Sequence, residues 1–274
     1  MSPRRTPTAP GTATRPARPA ASTISATGRI HFWQGGVLWL GRGQGRTDWH
    51  AHHAHQLALA LDGEIRFRTE RDAAWGVYQG ALVSSHSPHQ FEIDGTGIAH
   101  FFVEPESRAG RGLVARFGRD GVHPLPDDIA AAAARMLRDA LDAGLDGAST
   151  IAAATQALGL LCNSPVESGT ELDPRLLKAL AYIRANMRDA LTLPGVAATV
   201  HLSESRFRHL FVAETGSSFR AYLLWLRINV AIESVMAGAT WTAAAHEAGF
   251  ADSAHLTRTH RRMFGIEPSS ILRT

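Results

Sequence analysis

Between residues 29 and 115 the apolar positions fall in short runs, at 37–40, 57–61, 65–67, 81–83 and 98–103, separated by Gly, Asp and Pro. Runs of this length bounded by turn residues predict strands. In Ile65-Arg66-Phe67-Arg68 the alternation places the two apolar side chains on one face and the two arginines on the other, the period of a half-buried strand. The Asp62-Gly63 pair between two runs predicts a hairpin. Six or more such strands within about ninety residues predict a small barrel or sandwich.

From residue 116 the period becomes helical. Asp127 or Asp128 is placed to cap a helix running to Gly144, and Ser149 to cap a second through Ile151, Leu158 and Leu161. Residues 163–170, rich in Ser, Gly and Pro, read as a linker, and beyond Asp173 the pattern is helical throughout, with Pro174 at a first helical position. Residues 1–28 hold Pro, Thr, Ala, Ser and Arg with almost no large apolar side chain, which predicts a disordered tail. The expected organisation is α+β: a tail at 1–28, a barrel at 29–115, a helical linker at 116–170 able to supply dimer contacts, and an all-α domain at 171–274.

Within the last segment one plan occurs twice. Thr192 caps a short helix, Ser203 caps a second one whose Phe207, Leu210 and Phe211 share a face, and Gly216 stops it. About 48 residues later Thr242 opens a short helix, Asp252 caps the next, and Gly265 ends it, so that Ala245 repeats Ala197 and Phe250 repeats Leu202. Two helix-turn-helix units are expected, joined by one amphipathic helix from Ser218 to about Ala237. Twenty residues of helix span about 30 Å, close to the roughly 34 Å of one duplex turn.

Composition narrows the class. The 274 residues carry one cysteine, which excludes a disulfide framework and fits a reducing cytoplasm, and no apolar stretch is long enough for a membrane span. Lys and Arg outnumber Asp and Glu by 5 to 0 in residues 1–30 and 12 to 9 in residues 171–274, but are outnumbered 11 to 16 between them. Basic ends therefore flank an acidic middle, which is compatible with phosphate contacts at the C-terminus but too weak for a general nucleoid protein.

The run Gly249-Phe250-Ala251-Asp252-Ser253-Ala254-His255-Leu256-Thr257-Arg258, followed by Arg261-Arg262-Met263-Phe264-Gly265-Ile266-Glu267-Pro268, resembles the DNA-binding domain of the AraC/XylS family of bacterial regulators, a resemblance extending over residues 191–274. It implies base contacts from Ser205, Arg206 and His209 in the first unit and from Ser253, His255 and Arg258 in the second. Arg208, Arg261 and Arg262 are better placed for phosphates. Arg227 in the joining helix reads as a structural ion pair between the two units. His260 stands where the family has a buried aromatic and Ala244 where it has a larger aliphatic side chain, which predicts a looser second unit. The family also implies duplex DNA and a homodimer as partners, and RNA polymerase if the chain is an activator.

The barrel region contains His50, His52, His53 and His55 within six residues, then Gln56, Gly63, His86 and His89. This resembles the two cupin motifs, in which two histidines, a carboxylate and a distant histidine hold a metal. His50, His52 and His89 match the histidine positions, Gln56 replaces the carboxylate, and His86 stands where a glycine is common. On a strand His50 and His52 would share one face, and His53 and His55 the other. Three imidazoles suit zinc, nickel, copper or iron(II). A pocket for a small organic effector formed by His50, His52, Gln56 and His89, a divalent metal on the three histidines, and purely structural histidines are the alternatives. Trp33, Trp39, Trp49, Phe67, Trp75, Phe91 and Phe101 concentrate in the same half and serve mainly as core. The expected function is a sequence-specific DNA-binding regulator, not an enzyme, controlled by a small-molecule or metal effector. The rival is an iron-dependent cupin dioxygenase with a helical accessory domain.

Overall fold

A computed structural model describes residues 23–162 and 171–270. Residues 1–22 of the expected tail and the expected linker at 163–170 lie outside the described residues. The chain enters β1 (Ser25–Trp33) and continues through β2 (Gly36–Arg46), β3 (His55–Ala60), β4 (Ile65–Arg68), β5 (Gly76–Tyr78), β6 (Gly80–Val83) and β7 (Gln90–Val103). The strands pair antiparallel in the order β1-β2-β7-β3-β6, with β4 and β5 branching from β7. β7 holds this arrangement together: residues 98–103 pair with β3 and residues 90–92 with β4, so one strand serves both parts of a folded-over sheet. Alternation sorts the side chains. Leu38 and Leu40 of β2, with Leu57 and Leu59 of β3, face one core, whereas Trp39, Ala58 and Ala60 face another.

Four expectations need correction here. β1 begins inside the expected tail because Ser25, Ala26, Thr27 and Gly28 build a strand of small residues whose backbone lies close against Gly41 and Trp39 of β2. Asp62-Gly63 does turn the chain, with Gly63 at φ 66°, yet β3 and β4 pair with β7 and not with each other. Asp62 instead accepts from the Gly97 amide and binds Arg42. The barrel does not run to residue 115, since α1 (Arg108–Phe117) starts on a Ser107 cap. Beyond it, β8 (Val122–Pro124) adds to β6.

Next come α2 (Asp127–Asp142) and α3 (Gly147–Cys162). Neither expected cap serves: Asp127 and Asp128 lie inside the first turn of α2, behind Pro126, and Asp146 rather than Ser149 supplies the side-chain oxygen at α3. Ala130, Ala133 and Leu137 of α2 and Ala154, Ala157 and Leu161 of α3 cover the leucine face of the sheet, so these helices pack on their own barrel.

The C-terminal helices are α4 (Pro174–Ala185), α5 (Leu193–Thr199), α6 (Glu204–Thr215), α7 (Phe219–Met236), α8 (Trp241–Glu247) and α9 (Ser253–Phe264). Thr192, Ser203, Ser218 and Asp252 cap their helices as expected, and Gly216 and Gly265 end α6 and α9 in the left-handed conformation. The cap of α8 is Thr240, two residues before the expected Thr242. α4 to α6 and the first half of α7 form one core, whereas the second half of α7 packs with α8, α9 and the barrel interior. No helix among the described residues is long and apolar enough to cross a membrane.

Candidate DNA interface and effector cavity

In the first helix-turn-helix unit Phe207 and Phe211 are buried, and Ser205, Arg206, Arg208 and His209 are exposed on the opposite side of α6. Arg208 is tethered to Glu204 one turn earlier, which leaves Arg206 as the free guanidinium near the helix start. In the second unit Asp252 accepts from the His255 amide at 2.6 Å, Arg258 and Arg262 are exposed, and Ser253 and His255 are half-buried, with His255 edge-on to Phe250.

Arg261 is engaged within the protein. Its guanidinium lies 2.8 Å from Asp48 of the barrel and 3.7 Å from Glu267, an interdomain ion pair that competes with its expected phosphate role. Arg227 makes no ion pair among the described residues, and its buried Nε lacks a partner, so the expected pairing between units is absent. It lies instead beside Gly249. His260 is not a weak point either: it is 1% exposed, lies against Phe264 at 4.7 Å, and its Nδ1 donates to the Ile266 carbonyl at 3.0 Å. Ala244 is fully buried. The second unit is therefore closed, because the imidazole supplies the bulk of a ring and satisfies a carbonyl besides.

Between the start of α5, α7 and α9 lies a cleft of about 390 Å³ whose charged lining is Arg220, Arg227, Arg258 and Arg262, with His255 and no acid. Arg220 was not singled out in the sequence, because a helix-surface arginine carries no local mark of the groove it faces. The cleft lies between the two units and gathers four arginines, which suits it to an anionic partner.

The histidines converge by a route other than the one expected. Residues 51–54 are not strand; His50 makes a single bridge to His89, and β3 begins only at His55. His50, His52 and His89 are nevertheless buried with their donor atoms within 4.8 Å of one another. Each Nδ1 contacts a backbone carbonyl, those of Asp48, Ala54 and Ser87, at 2.9, 2.7 and 2.9 Å. Gln56 meets the Nε2 atoms of His52 and His89 at 2.9 and 3.2 Å. If each Nδ1 donates its hydrogen to its carbonyl, the Nε2 atoms carry lone pairs, which the Gln56 oxygen that faces them cannot satisfy, but the NH2 end of the same amide, turned toward them, or a cation can. The trio can therefore hold a divalent ion. Burial, reinforced by neighbouring imidazoles, lowers His50 to about 3; burial lowers His52 to about 4 and His89 well below its ordinary value. All three are neutral near pH 7.

Beside this cluster is a cavity of about 100 Å³. Its wall is shared between barrel residues such as Trp39, His50, Gln56 and His100 and, from the C-terminal domain, Trp225, Ile228 and Ile232 of α7 and Phe264 of α9. Gly265, between the lining residues Phe264 and Ile266, lies close against the barrel backbone. Its carbonyl accepts from the Asp48 amide at 2.8 Å, and a Cβ there would stand 2.4 Å from the Asp48 carbonyl oxygen and 2.7 Å from His50 Nδ1. Gly216 has the same backbone, φ 68° against 70°, with nothing within 4 Å of such a Cβ. Gly216→Ala is expected to cost only backbone strain, about 1 kcal/mol, and Gly265→Ala at least about 1 kcal/mol more. Urea unfolding of the two variants measures the difference, and equal losses would remove the close contact from the account.

A second seam joins the domains. Glu104 and Glu106, at the end of β7 and just beyond, are buried, and Arg184 of α4 lies 2.6 Å from Glu104 and 3.6 Å from Glu106. His53 contacts Glu106 at 3.0 Å and Ser217 at 2.7 Å, and His86 reaches the same serine hydroxyl at 2.6 Å. Burial works to raise the Glu106 carboxyl, but His53 and Arg184 outweigh it and hold it below its ordinary value. None of these roles was visible in sequence, since each partner lies 38 to 164 residues away.

Residues 196–274 match the family model described as a helix-turn-helix domain. The uncharacterized HTH-type transcriptional regulator YidL of Escherichia coli (strain K12) is 29% identical over 97 residues, 35% of this chain and 33% of YidL. The regulatory protein PocR of Salmonella typhimurium is 29% identical over 110 residues, 39% of this chain and 36% of PocR. The chain thus spans about a third of the length of the curated relatives it matches. Among solved structures, ToxT from Vibrio cholerae O395 superposes with a TM-score of 0.53 at 10% identity, covering 90% of this chain and 95% of ToxT. Wild-type ToxT from Vibrio cholerae strain SCE256, with an unsaturated fatty acid bound, gives 0.51 at 10% identity, covering 93% and 96%. At that identity the likeness is one of fold, a β-sheet domain followed by a helical helix-turn-helix domain.

Proposed function

We propose that this chain, which ends in a helix-turn-helix domain of the AraC/XylS type, is a transcription regulator that binds duplex DNA through α6 and α9 and tunes that binding to what occupies its barrel cavity. The observation that carries this reading is the shared wall: α7, which sets the spacing of the two units, and α9, a recognition helix, both line the cavity. An occupant that fits one arrangement of these helices better than another shifts their populations, and by linkage DNA shifts effector affinity in return. ToxT, similar in fold, has been solved with a fatty acid bound, which supports a small organic effector. The enzyme reading would use His50, His52 and His89 but leave the paired helix-turn-helix units and the basic cleft between them without a task. Homodimerisation through exposed Leu141 and Leu160 and, for an activator, contact with RNA polymerase complete the proposal.

The test uses a duplex selected from random sequence by the wild-type chain. Arg206→Ala and Arg258→Ala should each weaken binding roughly 5- to 150-fold, the loss of about 1–3 kcal/mol expected for an arginine on a base edge, with circular dichroism unchanged. Arg220→Ala and Arg262→Ala should weaken all duplexes alike and reduce the salt dependence by about one counterion each. Undiminished binding by both Arg206→Ala and Arg258→Ala overturns the assignment.

A further inference from the structure

The cavity wall is almost wholly apolar, built from side chains such as Ile30, Trp39, Ile93, Ile98, Ile228 and Ile232. Among the described residues no Lys, Arg, Asp or Glu lines it. Three histidines do, His50, His100 and His260, and a wall this apolar favours the uncharged imidazole. An anion entering this space would lose its water and meet no positive charge, a cost of several kcal/mol.

The polar groups on the wall are nearly all engaged. His50 and His260 each bond a backbone carbonyl, Gln56 meets His52 and His89, and Thr47 bonds the Phe91 amide. One demand is unmet. Of the described residues lining the cavity, only His100 has a buried side-chain atom without a partner, its Nε2, and its ring sits against Phe91 at 4.6 Å. A buried imidazole nitrogen left unpaired costs about 1–3 kcal/mol, which a ligand able to bond it would recover. The volume, about 100 Å³, is on the scale of a single ring, given that an apolar cavity of about 150 Å³ takes up benzene.

We infer that the effector is an uncharged, ring-sized apolar molecule bearing one hydroxyl group, which hydrogen-bonds His100 Nε2 while the ring fills the space between the sheet and α7. This rests on the cavity being the effector site and specifies the chemical class that site takes. A hydroxyl suits either tautomer of His100, since it both donates and accepts. A fatty acid, whose carboxylate is charged at neutral pH, is the wrong class for this wall.

The experiment titrates the full chain with phenol, benzene and benzoate at neutral pH, reading calorimetry and the fluorescence of Trp39 and Trp225, both on the wall. Phenol should bind roughly five- to tenfold tighter than benzene, the value of one hydrogen bond in a dry site, and benzoate at least tenfold weaker than phenol. In His100→Phe the preference for phenol over benzene should vanish while benzene still binds. Equal affinity for phenol and benzene in the wild-type chain, a preference that survives in His100→Phe, benzoate binding as tightly as phenol, or binding of none of the three would each overturn the inference. The wild-type comparison stands even if the variant fails to fold. Benzoate binding abolished by a chelator would place a positive charge on an ion held by His50, His52 and His89, and would also overturn it. Gel shifts on the same preparation separate the two levels: intact DNA binding without probe binding removes only the ligand class, whereas no DNA binding removes the regulator reading itself.

Discussion

Arg184→Ala should destabilise the chain by about 3–5 kcal/mol, the usual penalty for removing one partner of a buried ion pair. Arg184 is the cation that Glu104 and Glu106 share, and it also donates to the Tyr222 hydroxyl at 3.0 Å. The two carboxylates have side-chain exposures of 5% and 3% against 34% for Arg184, so water can replace the guanidinium only in part. Tyr222 belongs to α7 and Trp225, one turn on, donates to Glu104 at 3.4 Å, so the loss reaches the helix that joins the DNA-binding units. At roughly 2–4 °C per kcal/mol, the melting temperature should fall by about 6 °C or more by scanning fluorimetry. Adding Glu104→Gln to Arg184→Ala should restore part of the loss, since it removes a stranded charge. An unchanged melting temperature for Arg184→Ala would show that the seam does not hold the domains together.

Acid should unfold the protein at a pH well above that at which most carboxylates protonate. His50, His55 and His100 are lowered to about 3 and His52 and His260 to about 4, in each case chiefly by burial, and burial likewise holds His89 well below its ordinary value. In the unfolded chain the same side chains titrate near 6.5. Between those limits the unfolded state binds protons that the folded state refuses, so the stability these groups contribute is complete above about pH 6.5 and is lost as pH falls toward 3–4. Each costs about 1 kcal/mol per pH unit in that window, and six acting together exhaust a typical stability of about 5–15 kcal/mol near pH 5. Far-ultraviolet circular dichroism followed downward from pH 7 should show a steep transition between about pH 4.5 and 5.5, and His260→Phe should move it lower by removing one protonation site. A chain that keeps its melting temperature at pH 4 would contradict the buried, neutral state of these rings.

Much of the DNA-binding half was legible because its signals are local. Ser203 and Asp252 sit where the first free amides of a helix need an oxygen, Gly216 and Gly265 where the backbone must turn left-handed, and Phe207 and Phe211 at the spacing of one buried face. The barrel was legible as strands but less so as a sheet. Asp62-Gly63 encodes a turn, whereas the partner of each flanking strand was chosen by β7, between 22 residues on for Arg68↔Gln90 and 48 for His55↔Val103. β1 escaped notice because its Ser, Ala, Thr and Gly residues carry little hydrophobic signal and acquire burial only against Trp39 and Gly41.

By itself, then, the sequence determined the helices of the doubled unit with its spacer, the caps at Thr192, Ser203 and Asp252, and the exposed Arg206 and Arg258, all set by interactions within a few residues. Tertiary structure decided the allegiances of side chains that the local pattern leaves equivalent. Adjacent Arg261 and Arg262 look alike along the chain, yet one reaches Asp48 of the barrel and the other stays exposed. The four histidines at 50–55 were readable as a cluster, but the grouping of His50 and His52 with His89, the commitment of His53 to Glu106 and Ser217, and that of His55 to the Ser85 amide came from packing. So did the cavity, whose two walls come from chain segments more than a hundred residues apart and meet only because α7 and α9 bury their apolar faces against the sheet.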